Sequence, residues 1–187
     1  MKITQNWREE IKTIPNGLSL FRIVLLPVYL YFVWQRSFYL AGLVIAVSGL
    51  TDFLDGYIAR RFNQITELGK LLDPLSDKLT QFVLILSMAW YRPWIWLLLG
   101  LFVIKEGFMM IAGIIGLKHG VKLSGAKWYG KLATAVIYLG MIILLVFPQL
   151  AETWVSVIFG VIAICLMLSF VLYALEYRKM LRSTKLN

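Results

Sequence analysis

Apolar runs long enough to cross a lipid bilayer take up most of this chain of 187 residues. A helix needs about 20 apolar residues to cross the hydrocarbon core. Hydrophobic residues make up 60% of the chain, charged residues only 16%, and the mean hydropathy is +0.77. The sequence therefore predicts an all-α, polytopic membrane protein with six transmembrane helices. We place these helices at residues 18–34, 38–58, 75–91, 94–117, 129–147 and 153–175.

Lysine and arginine residues are concentrated in alternate connections between the predicted spans. They lie before span one, between spans two and three, between spans four and five, and after span six. The other connections hold little beyond Arg36 and Arg92. Because basic residues favour cytoplasmic loops, both termini are predicted to face the cytoplasm, as in a bacterial cytoplasmic membrane protein. The formal net charge of +9 then reflects topology and contact with anionic membrane lipids, and no nucleic-acid partner is expected.

The two ends of the chain are predicted to lie outside the spans. Residues 1–16 mix apolar and charged side chains and are expected to form a short interfacial helix, which Pro15, Asn16 and Gly17 break. No small-residue cleavage site follows the first apolar run, so the segment is expected to be retained. We expect a single domain over residues 1–187, with a six-helix bundle at 18–175 and a cytoplasmic tail at 176–187.

Four aspartates interrupt the apolar pattern around the connection between spans two and three. Asp52 and Asp55 are spaced i and i+3, and Asp73 and Asp77 are spaced i and i+4, so each pair lies on one helix face. If the two spans are antiparallel neighbours, the pairs can face each other. Ionised carboxylates repel one another in a partly desolvated site, and a hard divalent cation relieves that repulsion. The pattern predicts a site for Mg²⁺, or for Mn²⁺ in its place.

Small and basic residues beside the aspartates indicate a phosphorylated ligand. Gly56 and Ala59 leave one helix face bare, Gly69 lets the connection approach closely, and Arg60 offers a planar fork to phosphate. Taken singly, the small residues are better explained by helix packing and Arg60 by a membrane anchor. Asp73, which precedes a proline, fits a helix cap. As a set, these residues favour a site for a nucleotide diphosphate.

Two segments carry a resemblance to a known family. The first is Asp52-Phe-Leu-Asp55-Gly56-Tyr-Ile-Ala59-Arg60, and the second, eight residues later, is Gly69-Lys-Leu-Leu-Asp73-Pro-Leu-Ser-Asp77. Together they resemble the complete signature of the CDP-alcohol phosphotransferases, also called CDP-alcohol phosphatidyltransferases. The resemblance extends upstream to Ile14-Pro15-Asn16-Gly-Leu-Ser19-Leu-Phe-Arg22. Arg22, a charge within the first span, is expected to pair with a carboxylate.

The resemblance implies an enzyme that transfers the phosphatidyl group of CDP-diacylglycerol to an alcohol and releases CMP. It implies two metal ions held by Asp52, Asp55, Asp73 and Asp77, with Asp77 also acting as the general base. It places the cytidine diphosphate group on Gly56, Ala59, Arg60 and Gly69. A homodimer is also expected from the resemblance.

The alcohol acceptor is predicted from departures from the family pattern. Members that use glycerol 3-phosphate typically carry an Arg-Glu pair in the fourth span, a second Arg about two turns later, and Gly-Lys-x-Lys-Thr opening the fifth. The corresponding residues here are Lys105-Glu106, Gly113 and Gly130-Lys131-Leu132-Ala133-Thr134. Two basic groups are thus replaced, which weakens binding of a small dianion and widens the pocket. We therefore expect phosphatidylglycerol as acceptor, as in cardiolipin synthases, with phosphatidylglycerophosphate synthase as the alternative. The expected acceptor contacts are Lys105, Lys127 and Lys131.

A divalent-cation transporter is the alternative from another functional class, because intramembrane acids also occur along ion pathways. A pathway needs acidic groups at several depths, whereas these four aspartates are grouped near one membrane face. An inactive scaffold is disfavoured because the signature is intact. The sequence thus favours the enzyme.

Overall fold

The computed structural model describes residues 13–62, 66–118 and 127–184. Within these ranges the chain forms six α-helices and no strand, which confirms the predicted all-α class. The helices are α1 (Ile14–Trp34), α2 (Phe38–Arg61), α3 (Gly69–Tyr91), α4 (Trp96–Lys118), α5 (Trp128–Val146) and α6 (Glu152–Thr184). A single 3-10 turn, Pro93–Ile95, leads into α4. The predicted interfacial helix lies outside the described residues except for its last positions.

Five of the helices in the described ranges are long and apolar enough to cross a membrane. They are found at Ile14–Trp34, Phe38–Ala59, Pro93–Gly116, Trp128–Val146 and Glu152–Lys179. The chain is therefore a polytopic, integral membrane protein. Helix α3 has 23 residues, but polar and charged side chains lower its hydropathy. The sixth span stays a prediction.

Three predicted helix boundaries were wrong. Helix α1 begins at Ile14, so Pro15 lies in its first turn, where a missing N–H removes no helical hydrogen bond. The Pro15-Asn16-Gly17 run therefore belongs to the start of the helix and does not break one. Helix α3 begins at Gly69, six residues before the predicted span, so Asp73 lies inside the helix and does not cap it. Helix α6 has 33 residues and runs to Thr184, so most of the predicted tail is helical.

The chain divides into two compact units, Met1–Ser87 and Met88–Asn187. In the first unit, α1 packs along α2, and a 2.8 Å hydrogen bond between the hydroxyls of Tyr29 and Ser87 joins α1 to α3. In the second unit, α4 and α5 both pack against α6. The single domain expected over residues 1–187 stays a prediction.

One face of α1 forms the buried centre of the first unit. Its residues recur every three or four positions, which is the spacing of a single helix face. They are Asn16, Ser19, Arg22, Leu26, Tyr29 and Val33. The first three are polar and lie near the N-terminal end of α1, whereas the rest of this face is largely apolar. Buried polar groups need partners, and those partners come from α2, from α3 and from the residues just before α3.

Thr66 joins the start of α3 to the first turn of α1. Its hydroxyl oxygen accepts a 2.9 Å hydrogen bond from the Gly69 amide, as in an N-terminal helix cap. The same oxygen accepts a 2.9 Å hydrogen bond from the side-chain amide of buried Asn16. These two bonds determine where α3 begins relative to α1.

We predict that Gly69→Ala destabilises the first unit. A Cβ at Gly69 would lie 2.6 Å from Asn16 Oδ1 and 3.0 Å from Thr66 Oγ1, two atoms of side chains that hydrogen-bond each other. Overpacking of this kind costs about 1–3 kcal/mol. The measurement is the thermal unfolding midpoint in detergent, with Gly17→Ala as control. No atom of the described residues lies within 4 Å of a Cβ built at Gly17. Equal midpoints for the two variants would contradict the prediction.

Candidate active site

The four aspartates lie on two helices of the first unit. Asp52 and Asp55 are near the C-terminal end of α2, and Asp73 and Asp77 are near the N-terminal end of α3. The first three converge on one side chain of α1, so the N-terminal end of α1 lies beside them. The structure thus brings the two aspartate pairs to one end of this unit, as the sequence predicted.

Arg22 is the side chain on which three of the aspartates converge. Its Nη1 pairs with Asp52, and its Nη2 lies 2.6 Å from Asp55 Oδ2 and 3.4 Å from Asp73 Oδ1. The side chains of Arg22 and Asp55 are each 3% exposed, whereas those of Asp52 and Asp73 are 58% and 51% exposed. The predicted pairing of Arg22 with a carboxylate is confirmed. Asp55 is its buried partner, and Asp52 and Asp73 are its accessible partners.

Ser19 lies one turn before Arg22 and holds the same carboxylates. Its hydroxyl donates a 2.6 Å hydrogen bond to Asp73 Oδ1 and lies 3.3 Å from Asp55 Oδ2. Because Ser19 is fully buried, this hydroxyl orients the α3 carboxylate relative to the α2 carboxylate. None of the catalytic, metal-binding, nucleotide-binding or acceptor-binding residues predicted from the sequence lies on α1. The α1 residues of the site could have been found from the three polar residues Asn16, Ser19 and Arg22, which are spaced three positions apart at the start of an apolar helix.

Asp77 lies one turn beyond Asp73 and has a different partner. The side-chain amide of Gln81 donates a 3.0 Å hydrogen bond to Asp77 Oδ2. Gln81 is buried, so it orients the carboxylate of the residue four positions earlier on the same helix. The sequence prediction missed Gln81, although an i, i+4 pair of Asp and Gln is visible in the sequence.

The donor set fits a hard divalent cation in its chemistry. Carboxylate oxygens are the ligands that Mg²⁺ prefers. In the described part of the chain, however, no group of three or more acidic, His or Cys side chains has the arrangement of a metal site. The guanidinium of Arg22 lies where three of the carboxylates converge. The predicted metal ligands are therefore gathered, but three of them face an arginine.

The residues predicted to bind the nucleotide have mixed outcomes. Gly56 and Ala59 are half-buried near the end of α2. The side chain of Arg60 lies outside the described part of the chain. Gly69 lies against Asn16 and Thr66, so close packing explains why this position lacks a side chain. Nucleotide binding by these four residues stays a prediction.

The lysines predicted to bind the acceptor all belong to the unit Met88–Asn187, and two of them are paired. Lys105 is 4% exposed, and its Nζ lies 2.5 Å from Glu106 Oε1. Lys127 Nζ lies 2.9 Å from Glu176 Oε1. Lys131 is exposed. A buried charge in a membrane-spanning helix indicates function, which makes Lys105 the strongest candidate of the three.

The partners of Lys127 form a polar cluster between α5 and α6. The Tyr129 hydroxyl donates a 2.6 Å hydrogen bond to Glu176 Oε2, and the ring of Tyr129 packs edge-on against Tyr173 at 4.6 Å. Gly130 lies directly against Tyr173, because a Cβ there would overlap the Tyr173 hydroxyl oxygen. Sequence reasoning missed Glu176 and Tyr129.

Ala133 does not support the predicted widening of the acceptor pocket. It is 1% exposed, so its methyl group occupies a packed position on α5 and opens no space there. Gly113 is half-buried on α4. The argument that smaller side chains widen the acceptor pocket therefore depends on Gly113 alone.

Comparisons with known proteins identify the family. Residues 12–178 match the sequence profile of the CDP-alcohol phosphatidyltransferase family. The cardiolipin synthase (CMP-forming) of Streptomyces coelicolor is 36% identical over 67% of this chain and 61% of its own length. The CDP-diacylglycerol–glycerol-3-phosphate 3-phosphatidyltransferase of Aquifex aeolicus is 39% identical over 69% of this chain and 73% of its own length.

A third relative covers more of both chains. The CDP-diacylglycerol–glycerol-3-phosphate 3-phosphatidyltransferase of Shigella flexneri is 31% identical over 86% of this chain and 92% of its own length. The family profile spans all six described helices up to residue 178, including the aspartates and the α1 residues that hold them. The chain therefore belongs to the CDP-alcohol phosphatidyltransferase family of membrane transferases.

Proposed function

We propose that the protein transfers the phosphatidyl group of CDP-diacylglycerol to a glycerol-based alcohol in the membrane and releases CMP. The observation that carries this proposal is the convergence of Asp52, Asp55 and Asp73 on one buried arginine, with Asp77 one turn further along α3. Family membership supports the same reaction class. A grouping of acids at the adjoining ends of two helices does not suit an ion pathway, which needs acids at several depths.

The reaction forms one bond to phosphorus and breaks another. The acceptor hydroxyl oxygen attacks the phosphorus that carries diacylglycerol, and the bond from that phosphorus to the CMP oxygen breaks. Asp77 takes the proton of the acceptor hydroxyl. A carboxylate is a modest base, so its contribution depends on position, and Gln81 holds it in place.

Four aspartates are proposed to hold two divalent ions, Mg²⁺ or Mn²⁺. They are Asp52, Asp55, Asp73 and Asp77. When bound, the ions neutralise charge on the phosphoryl oxygens and on the departing CMP. Ser19 orients Asp73 for this role through its 2.6 Å hydrogen bond, and Gln81 orients Asp77.

The nucleotide is proposed to bind along the end of α2 and the start of α3. Gly56 and Ala59 lie on one face of α2, where small side chains admit a flat ring close to the backbone. Arg60 follows directly and offers a bidentate contact to the diphosphate. Gly69 is the weakest of these assignments, because its packing against Asn16 already accounts for a glycine.

Phosphatidylglycerol is the proposed acceptor, which would make the protein a cardiolipin synthase. Gly113 at a position where a second arginine is typical supports a bulkier and less charged acceptor. The relative from Streptomyces coelicolor and a human relative that is 42% identical over 57% of this chain are both named cardiolipin synthase (CMP-forming). Lys105, Lys127 and Lys131 are the proposed contacts to the acceptor phosphate.

Glycerol 3-phosphate is the second candidate acceptor. The relatives from Aquifex aeolicus and Shigella flexneri are named for it, and the Shigella match covers 92% of that protein. The buried Lys105–Glu106 pair also keeps one cation at the position of the family's Arg-Glu pair.

We further propose six membrane spans, with α3 as the third and with both termini and the aspartates on the cytoplasmic side of a bacterial membrane. The alternation of basic connections supports this topology. The pairing of the N-terminal end of α1 with the C-terminal end of α2 requires an antiparallel arrangement of those helices. A homodimer is proposed from the family resemblance.

Asp77→Asn should lower CMP release from CDP-diacylglycerol by at least about 100-fold, because general-base catalysis contributes about 10²–10⁴-fold. The unfolding midpoint should change little, since asparagine keeps the shape of the side chain. Glu67→Gln is the matched control, because Glu67 is exposed and pairs only locally with Lys70. Activity of Asp77→Asn within tenfold of the parent protein would remove Asp77 as the base.

Removal of divalent ions with a chelator should stop CMP release, and added Mg²⁺ or Mn²⁺ should restore it. The physical reason is that clustered carboxylates cannot approach a diphosphate unless their charge is neutralised. Radiolabelled CMP measured before and after chelation tests this directly. Undiminished release in excess chelator would show that the reaction needs no metal.

The acceptor is tested by offering phosphatidylglycerol and glycerol 3-phosphate separately to the detergent-purified protein with CDP-diacylglycerol. We expect cardiolipin from phosphatidylglycerol, identified by mass spectrometry, at a rate at least about tenfold above formation of phosphatidylglycerophosphate, which corresponds to about 1.4 kcal/mol. Formation of phosphatidylglycerophosphate at the higher rate would instead assign the second candidate function.

A further inference from the structure

Arg22 is placed like a counter-ion inside the proposed metal site. We propose that its guanidinium competes with the divalent metal: it holds the aspartates together before the metal binds and releases Asp52 and Asp73 when the metal enters. Arg22 is then a positioning residue that tunes metal affinity. This inference rests on the proposed function only in assuming that the aspartates bind a divalent cation.

The exposure of the three partners divides them into one permanent and two exchangeable contacts. Arg22 and Asp55 are both buried and lie 2.6 Å apart, so this pair cannot readily exchange with solvent or ions. Asp52 and Asp73 are more than half exposed, so an incoming cation can reach them. The contact of Arg22 with Asp73 is also the longer one, at 3.4 Å.

The direction of the carboxylates supports an exchange between arginine and metal. Three of them turn toward one guanidinium, and among the described residues no three acidic side chains are arranged to hold an ion. If the proposed metal binds these aspartates, at least two of them must turn away from Arg22. The side chains that have to move are the accessible ones.

The hydrogen bonding of Arg22 also favours its movement. Its Nε is buried and has no hydrogen-bond partner within the described part of the chain. A buried donor without a partner is unfavourable, so this placement of the guanidinium is not its best one for hydrogen bonding. When the guanidinium gives up its contacts with Asp52 and Asp73, it therefore leaves an arrangement in which its Nε already lacked a hydrogen-bond partner.

The counter-ion is needed because four carboxylates meet at the ends of two helices. Without a cation among them, the aspartates of α2 and α3 repel each other. Arg22 projects from α1, whose buried face also supplies Ser19 to the same carboxylates. A cation carried by the chain keeps the site assembled when no metal is bound.

The first experiment measures Mn²⁺ binding to the full-length protein in detergent, without substrate, by calorimetry after chelator treatment. Arg22→Gln should bind Mn²⁺ about tenfold or more tightly than the parent protein, because one competing charge is gone. Arg22→Lys keeps the charge, so its Mn²⁺ affinity should stay within about threefold of that of the parent protein. Equal affinities for parent and Arg22→Gln, or equal tightening in both variants, would overturn the proposal.

Thermal unfolding separates this role from a merely structural one. Arg22→Gln should lower the unfolding midpoint in chelator, and Mn²⁺ should recover most of the loss. The matched control is Arg92→Gln, which removes an exposed arginine–glutamate pair with Glu152. The unfolding midpoint of Arg92→Gln should differ from that of the parent protein by the same amount with and without Mn²⁺. An equal loss in both conditions for Arg22→Gln would mean that Arg22 is structural only.

A measurement on the parent protein keeps the proposal testable if Arg22→Gln does not fold. Nitrogen NMR of ¹⁵N-arginine-labelled protein, assigned with Arg22→Lys, reports the surroundings of each guanidinium nitrogen. The Nη1 signal should shift when Mg²⁺ is added, because Nη1 loses Asp52, whereas the Nη2 signal should shift less because its pair with Asp55 stays. Unchanged signals on Mg²⁺ binding would overturn the inference, whereas absence of any Mn²⁺ or Mg²⁺ binding would overturn the metal site of the proposed function.

Discussion

The ion pairs of Arg22 with three carboxylates connect the helices of the first unit at its polar end. Arg22 comes from α1, Asp52 and Asp55 from α2, and Asp73 from α3. Charges of one sign in a partly desolvated place are unfavourable unless paired, and removal of one partner of a buried pair is strongly destabilising. The positions of these three aspartates therefore depend on the α1 residues that face them. The proposed catalytic chemistry depends in turn on those positions.

Helix α1 combines two environments on one buried face. Its first turns carry Asn16, Ser19 and Arg22, which bond to Thr66 and to the aspartates, while the apolar residues Leu26 and Val33 are buried further along. Backbone and side-chain polar groups have no water partners in hydrocarbon, so each needs a partner within the protein. The helix therefore places the polar site at one end and leaves the rest of the face apolar. The Tyr29–Ser87 hydrogen bond is a polar contact within that part of the face.

In the second unit, lysine side chains likewise have partners within the protein. Lys105 is buried beside Glu106, and Lys127 shares Glu176 with Tyr129. Each lysine that the family resemblance assigns to acceptor binding, apart from exposed Lys131, already has an acidic neighbour. The proposed acceptor contacts Lys105 and Lys127 are therefore already paired with acids, as charges in membrane-spanning helices generally are.

The sequence by itself determined the fold class, the membrane location, the family and the four aspartates, because apolar run length and residue spacing record these features directly. It did not determine that Arg22 binds three of the aspartates at once, that Asn16 and Thr66 account for Gly69, or that Ala133 is packed. The first two depend on contacts between residues that are at least 30 positions apart in the chain, and the last on burial in the folded protein, which spacing along one helix cannot reveal. Helix ends were also misjudged at Ile14, Gly69 and Thr184, because polar partners and continued hydrogen bonding, rather than hydropathy, decide where a helix ends.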